Sequence, residues 1–115
     1  MKSFIVFAFL MCSAFGHAQQ RAQELPKWIQ TKIAGYQGLP PFSPPRFILR
    51  ARYEGKDVYY VSPACCDIPS ELYDEGGNLL CYPDGGFAGG DGKCRSFATI
   101  GNVLSTVWRD ARTPR

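Results

Sequence analysis

Four cysteines between residues 65 and 94 constrain this chain more than any other feature. They stand at Cys65, Cys66, Cys81 and Cys94. The fifth, Cys12, lies in a leader that reads as an export signal. Lys2 supplies a positive start, Phe4 to Cys12 a short apolar run, and Gly16 and Ala18 the small residues before a cut. The run is too short to span a bilayer. Residues 1–18 are therefore assigned to a signal peptide, 19–25 to a flexible N-terminus, 26–112 to one compact domain and 113–115 to a polar tail. The expected location is secreted and extracellular, where disulfides persist.

Residues 19–115 suffice for one small domain whose core is modest, so two disulfides stabilise it substantially. Four cysteines allow three pairings. A bridge between neighbours is geometrically disfavoured. The expectation is that Cys65 and Cys66 each join Cys81 or Cys94 and clamp residues 65–94 into one knot.

Cleavage also removes His17, the only histidine. What is left has no Ser–His–Asp or Cys–His machinery and no histidine-containing zinc site. The cysteine spacing lacks the C-x2-C knuckle of zinc sites. The formal net charge of the whole chain is +3, too small to imply nucleic acid. Its distribution is uneven. Residues 21–53 carry six basic side chains and one acid, 54–91 carry eight acids and one base, and 92–115 carry five bases and one acid. The acidic middle either balances its flanks within the fold or faces a cation or basic partner.

Trp28, Ile29, Ile33 and Tyr36 recur at helical spacing after Pro26, and Gly35 or Gly38 can end that helix. Residues 39–45 hold four prolines and read as an extended segment of polyproline character. Phe47, Leu49, Ala51 and Tyr53 then alternate with Arg46, Ile48, Arg50 and Arg52, a strand with one apolar and one arginine-rich face. A turn over Glu54–Asp57 returns the chain through Val58–Val61. A second hairpin turns at Asp74–Asn78 and ends near Cys81. The last segment is ambiguous in period, but its valines and threonines favour a strand over 105–109. The fold class is α+β: an N-terminal helix on a small antiparallel sheet of 46–53, 57–61, 71–74, 79–82 and 105–109, braced by two disulfides.

Tyr59–Tyr60–Val61, Cys65–Cys66–Asp67, Leu72–Tyr73–Asp74 with Gly77, Pro83–Asp84–Gly85–Gly86 and Gly89–Gly90–Asp91–Gly92 occur together in this order. In this the chain resembles a small exported domain of unknown function, found mainly in bacterial secreted proteins and lipoproteins. The resemblance spans about residues 27–112. It implies one shared fold and carries no activity and no catalytic roles.

The best local candidate for chemistry is the loop 83–93, with five glycines. Asp84 and Asp91, with Asp74 and Asn78 in the neighbouring turn, form a candidate calcium set, since calcium takes carboxylate, amide and carbonyl oxygens. The EF-hand order is absent. The competing reading has these aspartates bracing tight turns. Calcium is the one cofactor the sequence makes room for. Paired acids among Glu71, Asp74, Glu75, Asp84 and Asp91 give an enzyme little room for a cleft in so small a chain, and the expectation is no enzyme. The preferred function is an extracellular binding or matrix-type structural role with a protein or matrix partner, without nucleic acid or a membrane span in the processed chain. The alternative is a protease inhibitor, with Lys93–Cys94–Arg95 meeting a trypsin-like pocket.

Overall fold

The computed structural model describes residues 24–97 and 99–112. The signal peptide, most of the flexible N-terminus and the polar tail assigned from sequence lie outside the described residues. Helix α1 spans Lys27–Gln37. Pro26 stands one residue before it as the cap, and its carbonyl accepts from Ile29 and Gln30 N–H. Gly38 ends it, donating its N–H to Gly35 O.

Five strands follow: β1 Phe47–Tyr53, β2 Lys56–Val61, β3 Glu71–Asp74, β4 Leu79–Cys81 and β5 Val103–Arg109. A short helix, α2 Thr99–Asn102, leads into β5. All pairings are antiparallel, in the order β4-β3-β2-β1-β5. The α+β class, the single N-terminal helix that packs on the sheet and the five strand positions agree with the sequence reading. The first turn is tighter than expected. Glu54 and Gly55 both adopt positive φ, so Tyr53 pairs with Lys56 and the strand resumes one residue early.

The sheet is covered on both faces. Ile48, Tyr59, Val61 and Tyr73 point to α1 and pack with Ile29, Trp28, Ile33 and Tyr36. The four periodic residues of α1 thus form the predicted face, with Ile29 fully buried. Leu49, Ala51, Val58, Tyr60 and Leu72 point the other way, against Cys81, Cys94 and Phe97. Ile48 is therefore core, although it stands in the arginine-rich row of β1. Arg50 and Arg52 both bind Asp57 across the hairpin, at 2.6 and 2.7 Å.

The disulfide pairing differs from expectation. Cys81 bonds Cys94, and Cys65 bonds its neighbour Cys66. Cys81 ends β4 and points into the core facing the loop that carries Cys94, so those two sulfurs meet beneath the sheet. Cys65 and Cys66 lie in an exposed turn between β2 and β3, away from that cluster. The clamp closes 81–94 alone, not one knot over 65–94.

The proline-rich segment also differs. Ser43 N–H donates to Pro40 O at 3.2 Å, and Phe42 has φ 69°. Pro41 and Phe42 thus occupy the centre of a type II-like turn, a geometry that proline at the first central position favours, instead of continuing an extended run. At the far end Asp110, 4% exposed, donates its N–H to Arg46 O. Arg112 binds Asp110 and reaches Leu39 O at 2.7 Å, which ties the chain end to the exit of α1.

Candidate functional site

The loop after β4 is closed at its base by Cys81–Cys94 and held from within by two aspartates. Asp91 Oδ2 accepts Tyr82 N–H at 3.1 Å, and its Oδ1 accepts Lys93 N–H at 3.0 Å. Asp91 N–H donates back to Tyr82 O at 2.9 Å. The Lys93 N–H, followed by that of Tyr82, holds the Asp91 carboxyl below the usual carboxylate range. Asp84 faces inward. Its Oδ1 accepts the Tyr60 hydroxyl at 2.8 Å and lies in hydrogen-bond contact with Ser70 Oγ. Asp84 N–H donates to Ser70 Oγ at 3.0 Å, and Ser70 N–H donates to Asp84 O at 2.9 Å. Ser70 is fully buried, so this exchange satisfies polar groups that have no access to water.

Gly90 lets the loop fold back. Its φ is +108°, and a Cβ there would stand 2.7 Å from Pro83 O. Only glycine lets the two arms of the loop approach so closely.

Asp74 and Asn78 sit in a different turn. Asp74 Oδ1 accepts the N–H groups of Asn78 and Gly76, both at 2.9 Å, and Asn78 Nδ2 donates to Asp74 Oδ2 at 3.1 Å. These bonds, the Asn78 N–H first, hold the Asp74 carboxyl below its ordinary range. The candidate calcium ligands are thus engaged separately: Asp74 with Asn78 in the β3–β4 turn, Asp91 within its loop, and Asp84 inward on Tyr60 and Ser70. Among the described residues no three or more of His, Cys, Asp and Glu gather as a metal set. Lys93 and Arg95 are exposed but flank Cys94, which is 7% exposed and anchored in the core.

What the loop presents outward is Phe87. Its side chain is 99% exposed, and a cleft of about 280 Å³ beside it is lined by Asp67, Pro69, Tyr82 and Asp91. Ile68, between the lining residues Asp67 and Pro69, is 51% exposed. Periodicity does not single out Phe87, because the loop has none. The available signal is local: an aromatic between Gly86 and Ala88 in a cysteine-closed loop has no large apolar residue beside it in sequence with which to form a buried face.

Residues 34–110, from within α1 to the buried Asp110, match the model of a domain of unknown function, DUF6970. The chain belongs to the DUF6970 family. The four disulfide-bonded cysteines, the five strands and the loop with Phe87 lie inside the match. No curated protein and no solved structure matches this DUF6970 chain.

Proposed function

We propose that this DUF6970 protein is an exported, non-catalytic binding module that docks through the loop 82–93. The observation that carries the reading is Phe87, a large aromatic 99% exposed on a loop locked at its base by a buried disulfide. Exposed aromatics on pre-ordered loops make effective anchors, because little conformational entropy is lost when they enter a pocket. Asp67 and Asp91 are among the residues lining the same cleft, within a segment whose net charge is strongly negative. The partner surface that fits is an apolar pocket with a basic rim on an extracellular protein. The signal-like residues 1–18 and the two disulfides support the extracellular setting.

A photo-crosslinking residue at position 87, with one at exposed position 42 as control, tests the reading against extracellular proteins of the source. Expected is a protein captured from 87 and not from 42, whose purified form binds the chain at least about tenfold more weakly after Phe87→Ala. Capture no greater from 87 than from 42, or binding that Phe87→Ala leaves unchanged, removes the loop as the docking face.

A further inference from the structure

We infer that Cys65–Cys66 is a redox site that exchanges with soluble dithiols while the fold stays closed, and that its state sets the footing of the loop 82–93. Both of these half-cystines are exposed. Cys81 and Cys94 are 2% and 7% exposed and belong to the core cluster. Exchange requires a thiolate to reach a cystine sulfur, so access separates the two bonds. Connectivity separates them as well. Cys65 and Cys66 are neighbours in the chain, so opening their bond releases no loop, whereas Cys81–Cys94 spans 13 positions of chain.

The turn that holds this pair is also the seat of the loop. Ile68 N–H donates to Cys65 O at 3.0 Å. Immediately after it, Pro69 bridges Gly85 and Ser70 N–H donates to Asp84 O. Ile68 O and Ser70 N are the nearest atoms over Gly85, both 3.4 Å from where its Cβ would stand, and Pro69 covers Gly86. The ring formed by Cys65 and Cys66 fixes the peptide between them. Opening it restores rotation about that segment directly ahead of the contacts on which the loop rests.

The reductant is a dithiol, which supplies both electrons and both protons. Its thiolate attacks one cystine sulfur, the S–S bond breaks, and the departing cysteine thiolate takes up a proton. The second thiol of the reductant then displaces the remaining cysteine from the mixed disulfide. The products are two cysteine thiols and an oxidised, cyclic reductant. This site goes beyond the binding reading and stands without it.

The test uses the full oxidised chain, with any free thiol at Cys12 capped by N-ethylmaleimide. Dithiothreitol is added without denaturant, samples are quenched with iodoacetamide at intervals, and peptides are mapped by mass. Expected is alkylation of Cys65 and Cys66 at least about tenfold faster than of Cys81 and Cys94, with circular dichroism unchanged. Amide exchange over 82–93 then rises in the selectively reduced protein, and the variant Cys65→Ser/Cys66→Ser shows the same rise without reductant. Equal reduction rates, slower reduction at Cys65–Cys66, or exchange over 82–93 that ignores the state of the pair each overturns the inference.

Discussion

The indole of Trp28 lies across Gly77, so close that a Cβ on the glycine would stand 2.9 Å from the ring. Trp28 Nε1 also donates to Glu75 O at 2.8 Å in the same turn, and the ring packs edge-on against Tyr59. Together with the Trp28 and Lys32 contacts to the Tyr73 ring, this ties α1 to the β3–β4 hairpin. Gly77 has φ +86°, which an L side chain rarely adopts. Gly77→Ala is expected to cost about 1–3 kcal/mol, through overpacking and backbone strain together. Trp28→Phe keeps most of the packing and loses the hydrogen bond, so about 1 kcal/mol is expected. Urea unfolding followed by fluorescence or circular dichroism measures both.

The two disulfides contribute unequally to stability. Cys81–Cys94 closes a real loop and its sulfurs fill the core, so Cys81→Ser/Cys94→Ser is expected to cost about 3 kcal/mol or more. Cys65→Ser/Cys66→Ser closes no loop and exposes no core, so its thermal midpoint is expected within a few degrees of the parent. Calorimetric melts of the two double variants check the ranking. A larger loss from the adjacent pair contradicts it.

Among the described residues four carboxyls sit below their ordinary range. Arg50 and Arg52 hold Asp57 down, the Asn78 N–H holds Asp74, the Lys93 N–H holds Asp91, and Arg112 holds Asp110. A folded value below the unfolded one gives stability that is present above about pH 4 and lost as pH falls through the folded values. Melting temperature is expected to be flat down to about pH 5 and to fall below about pH 4, less steeply in Asp57→Asn. On the alkaline side burial raises Tyr36 to about 12 and Tyr73 further. Their neutral forms favour the fold, so that contribution is complete below about pH 10 and fades as pH rises through the folded values. Melts across this range test both limbs.

Phe42 carries a backbone cost. It holds φ 69° and is 61% exposed. Glycine suits the second central position of such a turn, although it loses more entropy on folding. Phe42→Gly is expected to leave stability unchanged or raise it by about 0.5 kcal/mol, where most aromatic-to-glycine changes destabilise. The thermal midpoint of this variant against Phe42→Ala isolates the backbone effect, since both lose the same exposed ring.

The sheet was legible because its residues repeat with the period of the backbone. Alternation from Phe47 to Tyr53 and the turn residues of Asp74–Asn78 fix β1 to β4 to within one or two positions. Helix α1 was legible from Trp28, Ile29, Ile33 and Tyr36. The pairing of the cysteines was not, because it depends on which sulfur the folded chain carries inward. Cys81 faces the core because a register shift in β4 sets it opposite Leu72, against simple alternation from Leu79, and Cys94 meets it only because the loop folds back at Gly90. That Ile48 is core was equally hidden, since an apolar residue in an arginine-rich row shows its partner only when α1 is placed over it. The site suffered most. Asp84 and Asp91 look alike in sequence, yet one turns inward to Tyr60 and Ser70 and the other outward along the loop.

That difference gives the last prediction. Asp84 binds the hydroxyls of Tyr60 and Ser70, the latter fully buried, whereas Asp91 braces an exposed turn. Asp84→Ala removes the carboxylate that accepts from both hydroxyls, while Ser70 Oγ keeps the Asp84 carbonyl, and is expected to cost about 1–2 kcal/mol, more than Asp91→Ala. If the same carboxylates instead formed a calcium shell, adding calcium would stabilise the parent by mass action and both variants would lose that gain. The arrangement of hydrogen bonds predicts otherwise: calcium titration gives no saturable heat beyond a magnesium control, and chelator leaves the melt unchanged. A one-to-one binding isotherm abolished by either Asp84→Asn or Asp91→Asn would show that the loop rearranges around a cation, and the bracing role would then belong only to the unloaded state.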